Sequence, residues 1–237
     1  MLTLMATVLS NERLTASVFR LAIEGSFHGE PGQFYMLRSW DKSPLLSRPI
    51  SIHDLTSTAI TFLIRLHGEG TRLLSRLTSG DQVTLYGPYG NGFPKPGGNV
   101  ALVGGGMGIA PLLFSAKRFP FSKVFLGFSG EPFAVASYQA LHGDVVFQSG
   151  GTILDAIDLN SFDKIYACGP LPMMAELRRR TAETAAQLYV SIEKRMACGI
   201  GICNGCTINV GTGNHKACTV GPVFPAEEVD FDELLEL

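Results

Sequence analysis

Apolar residues in the first ninety positions occur in short alternating runs rather than at helical spacing. The runs are rich in β-branched and aromatic residues, and glycines such as Gly25, Gly32 and Gly80 separate them. Several short strands with regular turn signals are typical of an antiparallel barrel. The pattern therefore predicts an N-terminal antiparallel β-barrel in residues 1–95. Its strands are expected at residues 4–9, 17–23, 33–38, 49–53, 59–65 and 82–86.

A different rhythm begins after a hinge-like segment, residues 87–98, that is rich in glycine and proline. Beyond it, apolar strands alternate with helices, which is the order of a parallel α/β sheet. Residues 96–192 are predicted to form this α/β domain, and residues 193–237 a small cysteine-containing segment. Strands are expected at 100–103, 124–128, 145–147, 165–167 and 188–192, and helices at 111–117, 134–141 and 172–186.

Composition narrows the class of protein without identifying it. The chain has 237 residues, 46% hydrophobic and 17% charged, with a net charge of −2, which suits globular domains with sizeable cores. No basic stripe appears, so we expect no nucleic-acid partner. The first eleven residues lack the features of a signal peptide. The longest uncharged stretch, residues 96–116, contains six glycines and indicates a strand, a loop and a helix start rather than a membrane span.

Four of the five cysteines form a C-x4-C-x2-C-x11-C array near the C-terminus. The first three spacings are those of the plant-type loop that holds a [2Fe–2S] cluster, and thiolate sulfur is the ligand that such clusters require. Interleaved glycines allow the backbone to direct N–H groups at sulfur, and Ile200 and Ile202 are expected to shield the site from water. The predicted ligands are Cys198, Cys203, Cys206 and Cys218.

Two alternatives to a cluster stay open for this array. Structural zinc sites usually pair two short cysteine knuckles, and here only Cys203 and Cys206 form a C-x-x-C. A disulfide scaffold is unusual for a chain of this length with an odd number of cysteines. Free thiols available to bind a metal indicate a reducing cellular compartment, so a cytoplasmic location is expected.

Two motifs in the α/β region indicate a nucleotide site. Gly104, Gly105, Gly106 and Gly108 follow a buried strand and open a helix, where backbone N–H groups can face a phosphate. The loop departs from the standard dinucleotide fingerprint, because Pro111 stands at the third glycine position. Cys168, Gly169 and Pro170 close a later strand at its carboxyl end, where open α/β sheets bind ligands. Each motif taken alone also fits a purely structural turn.

Two motifs in the barrel region indicate a second anion site. The first is Arg48–Pro49–Ile50–Ser51, in which the guanidinium could bind a pyrophosphate and Ser51 could donate to a flavin or a phosphate. The second is Gly70–Thr71, where Thr71 is expected to cap a helix that begins at Arg72. A surface arginine and an ordinary capped helix would explain either motif alone.

Taken in order, these motifs resemble those of the ferredoxin–NADP reductase superfamily. The resemblance rests on R-P-x-S, G-x-G-T, the L-x-G-P-x-G-x-G-F run over residues 85–93, G-G-G-x-G-x-x-P and C-G-P. The added cysteine array narrows it to the electron-transfer subunits of type-B, NAD-dependent dihydroorotate dehydrogenases. It covers nearly the whole chain.

The resemblance implies three cofactors: FAD in the barrel, NAD(H) in the α/β domain and a [2Fe–2S] cluster held by the four array cysteines. By position it implies FAD contacts at Arg48, Pro49, Ile50, Ser51, Leu63, Ile64, Arg65, Gly70 and Thr71. Ile50 departs from the wider superfamily, in which many members have a tyrosine against the flavin. The implied partner is an FMN-containing catalytic subunit that oxidises dihydroorotate in pyrimidine synthesis, in a heterotetramer with two copies of each subunit.

The chemistry of the three cofactors is consistent with a relay in which FAD lies between NAD(H) and the cluster. A nicotinamide gives up two electrons as hydride and an iron–sulfur cluster accepts one, so a flavin must stand between them. No acid–base pair or activated nucleophile is needed, and the five histidines are interpreted as structural or solvated. Glu131 follows the second strand of the α/β region without a nearby cation, which favours NADH over NADPH.

The partner and the role of the chain are hypotheses drawn from the sequence. Arg195, Met196, Ile202 and His215 are the candidate docking rim, because electrons must leave near the cluster. The alternatives are a reductase subunit that serves another acceptor, of the sulfide dehydrogenase or ferredoxin:NADP oxidoreductase kind, and a non-catalytic redox sensor that keeps both flavin and cluster.

Overall fold

The N-terminal strands close into a barrel. The computed structural model describes residues 3–141 and 144–236. The barrel strands are β1 (Thr3–Arg13), β2 (Val18–Glu24), β3 (Phe34–Arg38), β4 (Arg48–Leu55), β5 (Ala59–Arg65) and β6 (Gln82–Tyr89). They pair antiparallel in the closed order β1–β2–β5–β4–β3–β6. Alternate residues point inward, so Leu21, Tyr35, Leu37 and Ile60 fill the barrel core.

The middle of the chain forms a sheet with five successive parallel strands. Its strands are β7 (Val100–Gly105), β8 (Ser122–Phe128), β9 (Val145–Ser149), β10 (Lys164–Cys168) and β11 (Gln187–Ser191). Pairing gives the order β11–β10–β7–β8–β9. Strand β7 is buried at every position, as expected for a central parallel strand covered on both faces. The helices beside this sheet are α2 (Leu112–Arg118), α3 (Val135–Gln139) and α4 (Leu171–Thr181).

The C-terminal segment forms a hairpin and then returns to the sheet. Its elements are β12 (Thr207–Val210), β13 (Gly213–Lys216), β14 (Val223–Pro225) and the helix α5 (Phe231–Glu236). Strand β14 pairs antiparallel with β11 and becomes the edge of the α/β sheet. The segment is therefore fastened to the sheet by backbone hydrogen bonds. The predicted combination of β-barrel, parallel α/β domain and small C-terminal segment is confirmed.

Two helix predictions are wrong in detail. The helix expected at 172–186 ends at Thr181, where the Thr181 hydroxyl donates to main-chain oxygens of its own last turn and Thr184 donates back to Thr181 O. The barrel helix α1 (Glu69–Leu74) begins three residues before the expected Arg72, with Gly68 as its N-cap. Thr71 lies inside the first turn, and its hydroxyl accepts from His67 N at 2.9 Å.

The barrel and the sheet share a packed boundary between β4 and α2. Lys117 Nζ lies 2.6 Å from Asp54 Oδ2, and the buried His53 ring contacts Ala110 O at 2.7 Å. These contacts join α2 and the residue Ala110 before it to strand β4 of the barrel. None of the helices within residues 3–141 and 144–236 combines the length and hydrophobicity that a bilayer crossing requires.

Candidate functional site

A cleft of about 390 Å³ lies at the carboxyl ends of β7, β8 and β10, where parallel sheets bind ligands. The loop Gly105–Gly108 forms one wall, and Gly169 and Pro170 form another. Arg65 reaches in from the end of β5 in the barrel. The structure thus brings both predicted nucleotide motifs to one cleft. Gly104 lies just outside, within β7, against Leu112 and Ile109.

The two nucleotide motifs touch each other directly. A Cβ placed on Gly108 would lie 2.0 Å from Cys168 O and 2.4 Å from Gly169 N. No side chain fits in that space, so glycine at this position lets the two loops close on one another. The backbone of both loops can then face the same ligand.

The Cys168 side chain lies at the end of β10 and is buried. Burial raises the pKa of this thiol, the charge of Glu193 raises it further, and a hydrogen bond with Ser191 lowers it in part. The thiol is therefore protonated at neutral pH.

A smaller cleft of about 220 Å³ continues from the first. The turn between β1 and β2, residues 15–18, faces Ser129, Gly130 and Glu131 after β8. Arg65 and Gly106 line both clefts. A ligand that extends from the glycine loop toward Glu131 would lie between the barrel and the sheet.

Arg48 and Gly70, which are separate motifs in the sequence, are neighbours in the fold. Arg48 opens β4, and its guanidinium lies against the first turn of α1. A Cβ placed on Gly70 would lie 2.6 Å from Arg48 Nε and 2.9 Å from Arg48 Nη2. A cationic fork beside free N–H groups of a helix turn is a suitable cradle for a pyrophosphate.

The flavin segment in β4 presents two faces. Its register with β3 pairs Pro49 with Met36 and Ser51 with Phe34, and cross-strand partners share a face. Phe34 and Met36 pack in the core outside the barrel, whereas Ile50 packs against the barrel interior. Pro49 and Ser51 therefore share the outer face, and Ile50 points away from it.

Leu63 and Ile64 differ from Arg65 in what they can offer a ligand. Both side chains are buried, at 2% and 1% exposure, so only their main chain can face a cofactor. Arg65 is exposed.

The four array cysteines lie together at the edge of the barrel. The thiols of Cys198 and Cys203 are hydrogen-bonding neighbours, and so are those of Cys206 and Cys218. Within the described part of the chain, no three His, Cys, Asp or Glu side chains converge on one point. Two pairs of thiols match a [2Fe–2S] cluster, which needs two thiolates on each of two irons.

The loop backbone favours thiolate at the first cysteine. Burial raises the pKa of Cys198, but bonds from Ile200 N, Cys203 N and Ile202 N together with the Cys203 side chain lower it to about 6. Cys218 receives a bond from Gly201 N at 3.1 Å, yet burial and Cys206 raise its pKa to about 12. Iron bound between the two cysteine pairs would offset the free-energy cost of deprotonating Cys218.

The cysteine loop packs directly on the barrel. A Cβ placed on Gly199 would lie 3.0 Å from Met36 Cγ and 3.4 Å from Tyr89. At the end of β6, Asn91 N donates to Gly221 O at 2.6 Å and Asn91 Nδ2 donates to Val220 O at 3.0 Å. The loop is thus held on the outer face that β3 shares with β4.

The two isoleucines that were predicted to shield the site reach the protein surface, with Ile202 75% exposed and Ile200 38% exposed. Their shielding of the cluster stays a prediction. Met196 is half-buried against the core beside the cysteines. Of the expected docking rim, Ile202 and Arg195 are exposed and Met196 is not.

Three residues of interest escaped the sequence analysis. Met36 and Trp40 carry no motif of their own, and Glu193 was not singled out although it lines the larger cleft. Met36 reads as an ordinary buried strand residue. Trp40 is the single tryptophan of the chain and lies between two arginines in sequence, which is the one signal that could have drawn attention to it.

The comparisons with known proteins agree with this geometry. A model of the iron–sulfur cluster binding domain of dihydroorotate dehydrogenase B matches residues 193–230. The electron transfer subunit of dihydroorotate dehydrogenase B (NAD(+)) from Clostridium acetobutylicum is 37% identical over 233 residues, covering 94% of this chain and 95% of that protein. The subunit of the same name from Caldanaerobacter subterraneus is 38% identical over 245 residues, covering 95% and 98%.

Solved structures give the same fold. An NADH-dependent reduced ferredoxin–NADP oxidoreductase, studied for flavin-based electron bifurcation, has a TM-score of 0.84 at 28% identity, covering 98% of this chain and 91% of that chain. The flavohemoglobin of Malassezia yamatoensis has a TM-score of 0.62 at 18% identity, covering 78% and 58%. The resemblance read from the motifs is confirmed. The chain belongs to the family of electron transfer subunits of NAD(+)-dependent dihydroorotate dehydrogenase B.

Proposed function

We propose that this chain is the electron transfer subunit of a dihydroorotate dehydrogenase B, and that it carries electrons from an FMN-containing catalytic subunit through a [2Fe–2S] cluster and FAD to NAD⁺ in pyrimidine synthesis. The observation that carries the proposal is the joining of two sites on one barrel: the cysteine loop lies on the outer face of β3, and the nucleotide cleft opens beside β5. The family relationship supports the same function.

FAD is assigned to the barrel. The Arg48 guanidinium and the first turn of α1 would hold the pyrophosphate, and Ser51 would donate to the flavin from the outer face of β4. When bound, FAD supplies the exchange between two-electron and one-electron chemistry that the relay requires. The proposed FAD contacts are Arg48, Pro49, Ile50, Ser51, Leu63, Ile64, Arg65, Gly70 and Thr71.

NAD(H) is assigned to the paired clefts at the carboxyl edge of the sheet. The main chain of Gly105–Gly108 and Gly169–Pro170 would face the dinucleotide, and Glu131 would accept from ribose hydroxyls. A 2′-phosphate would meet the Glu131 carboxylate, so NADH is the preferred nucleotide. The proposed contacts are Gly104, Gly105, Gly106, Gly108, Cys168, Gly169 and Pro170.

The cluster is assigned to the cysteine pairs Cys198–Cys203 and Cys206–Cys218. Their arrangement, with N–H groups of Ile200, Ile202 and Gly201 directed at sulfur, suits thiolate ligation. In functional terms the chain then divides into FAD (1–95), NAD (96–192) and cluster (193–237) regions. The unpaired state of all five cysteines suits a cytoplasmic location.

A direct experiment tests this function. The chain should bind FAD and about two irons per polypeptide, and NADH should bleach its flavin rapidly while dihydroorotate has no effect on the isolated chain. Adding the FMN-containing subunit should form a heterotetramer with two copies of each and confer dihydroorotate-dependent reduction of NAD⁺. Failure of the reconstituted complex to oxidise dihydroorotate would contradict the proposal.

A second acceptor is the main alternative, because the whole chain also superposes on an NADH-dependent reduced ferredoxin–NADP oxidoreductase. Purification from native cells separates the two. Recovery with an FMN protein active on dihydroorotate supports the main proposal, whereas recovery with a ferredoxin-linked subunit supports the alternative. A protein that keeps flavin and cluster but shows no turnover with NADH would be a redox sensor.

A further inference from the structure

Two arginine side chains lie over the Trp40 ring. The guanidinium carbon of Arg48 is 5.4 Å from the ring centroid, and that of Arg38 is 5.9 Å from it. Both distances are within the range of a cation–π contact. The ring is half-buried, so the contacts are partly shielded from water.

The loop between β3 and β4 folds around this ring. Arg38 donates from Nε to Trp40 O at 2.6 Å and from Nη1 to Leu45 O at 2.9 Å. Trp40 Nε1 donates to Pro44 O, and Arg48 Nη1 donates to Leu46 O. The loop therefore presents the indole as a fixed surface next to Arg48.

The other side of Arg48 faces helix α1. Nε and Nη2 lie against Gly70, where even a methyl group would not fit. Thr71 holds this turn in place, because its hydroxyl accepts from His67 N and Gly68 N and donates to Gly68 O. The guanidinium is thus confined between an aromatic ring and a helix turn.

We propose that Trp40 is a positioning residue for FAD, which holds the Arg48 guanidinium against Gly70 so that its fork faces the pyrophosphate. The inference rests on the proposed FAD site. A free arginine side chain loses considerable rotamer entropy when it binds an anion. Stacking on Trp40 restricts Arg48 before the cofactor arrives, and this raises the affinity for FAD without any contact between the indole and the phosphates.

Flavin titration of the apoprotein tests the inference. Trp40→Ala should weaken FAD binding by about 2- to 30-fold, the range of an ordinary cation–π contact. Binding of riboflavin, which has no phosphate, should not change. Trp40→Phe, which keeps an aromatic face, should restore most of the FAD affinity. Flavin fluorescence quenching gives both dissociation constants in the absence of turnover.

A double-mutant cycle separates positioning from simple loop order. Trp40→Ala should have almost no further effect in an Arg48→Ala background, because there is then no guanidinium to position. Arg38→Ala removes the second guanidinium over the ring and the three Arg38 bonds to loop carbonyls, but leaves Arg48 on the ring, so its loss of FAD affinity should be smaller than that of Trp40→Ala.

Three results would overturn the inference: an unchanged FAD affinity in Trp40→Ala, an equal loss for riboflavin, or full additivity with Arg48→Ala. An Arg38→Ala loss equal to that of Trp40→Ala would also assign the effect to loop order. These outcomes differ from a failure of the proposed function, in which the wild-type chain would bind neither FAD nor riboflavin.

Discussion

His53 shows how a single residue links stability to pH at the boundary between barrel and sheet. Its side chain is 1% exposed. Nδ1 donates to Ala110 O at 2.7 Å, which leaves Nε2 as a buried acceptor, and among the described residues this atom has no hydrogen-bond partner. Burial lowers the pKa of His53, the bond to Ala110 O and the charge of Asp54 raise it in part, and Arg20 and Lys117 lower it, so that the pKa is about 4. The ring is neutral in the folded protein at neutral pH.

This neutral histidine makes the protein less stable in mild acid. The folded-state pKa of about 4 lies below the unfolded value near 6.5, so the unfolded chain binds the extra proton in this window. The contribution is complete above pH 6.5 and is lost as the pH falls toward 4, by about 3 kcal/mol in total. We expect the urea midpoint of the wild-type protein to be lower at pH 5 than at pH 7.

Substitution identifies the group responsible. His53→Gln keeps a donor for Ala110 O but does not titrate, so its midpoint should change less over the same pH range. His67→Gln is the matched control, because His67 is exposed, and it should keep the wild-type slope. An identical slope in wild type and His53→Gln would assign the acid sensitivity to other groups.

Residue chemistry decides which site residues the sequence could reveal. Cysteines at cluster spacing and an arginine before a proline can be predicted as candidate site residues, because residue type and order alone mark them. Trp40, Met36 and His53 acquire their interest from contacts across the fold. His53 and Ala110, for example, are 57 residues apart, and no local pattern marks such a pair.

At the scale of elements, strand β3 connects the flavin segment to the cysteine loop. Met36 pairs with Pro49 in β4 on one side and packs against Gly199 on the other. The side chain is 2% exposed and shares a core with Cys206 and Cys218. Met36 therefore fills the space between the two proposed redox sites.

Truncation of the Met36 side chain should slow electron transfer from the flavin to the cluster without slowing transfer from NADH to the flavin. Met36→Ala leaves a cavity that costs about 2–5 kcal/mol and loosens the contact that holds the loop on the barrel. After rapid mixing with NADH, flavin bleaching should stay near the wild-type rate, while the electron paramagnetic resonance signal of the reduced cluster should appear severalfold more slowly.

The control for this variant is Leu177→Ala. Leu177 is fully buried in the same core but on α4, away from the cysteines. Its truncation should lower stability by a comparable amount and leave both rates unchanged. Slower cluster reduction in Leu177→Ala as well would show that general loosening of the core, rather than the Met36 contact, controls the transfer.

Elements with strong periodicity were predictable, and those decided by single side chains or by distant pairing were not. The barrel strands follow from alternation, and the strand–glycine–helix unit at β7 follows from an apolar run with glycines at its end. Helix α4 stops at Thr181 because hydroxyls there bond to the main chain, which composition does not reveal. Strand β14 is three residues long with a proline at its end, and its pairing with β11 is a long-range event.

At the scale of the whole molecule, the cysteine loop is the part of the relay that faces outward. Cys203 and Ile202 are exposed, while the paired nucleotide clefts open between the barrel and the sheet. Electrons that enter from a separate subunit need the shortest route to the cluster. An exposed apolar side chain beside a cluster ligand is therefore the expected contact with the proposed FMN subunit.

Charge substitution at this rim tests the docking geometry of the complex. Ile202→Asp should weaken assembly with the FMN subunit by at least tenfold, roughly the cost of burying an unpaired carboxylate at an interface, and leave NADH-dependent flavin bleaching intact. Phe121→Asp is the matched control, because Phe121 is 91% exposed and lies before β8, and it should assemble normally.

Met196→Asp should instead destabilise the cysteine segment and lower iron content, because Met196 packs into the core. Analytical ultracentrifugation of the mixed subunits measures assembly of the Ile202→Asp and Phe121→Asp variants, and iron analysis of the purified chain measures the effect of Met196→Asp. Normal assembly of Ile202→Asp would exclude this rim from the interface.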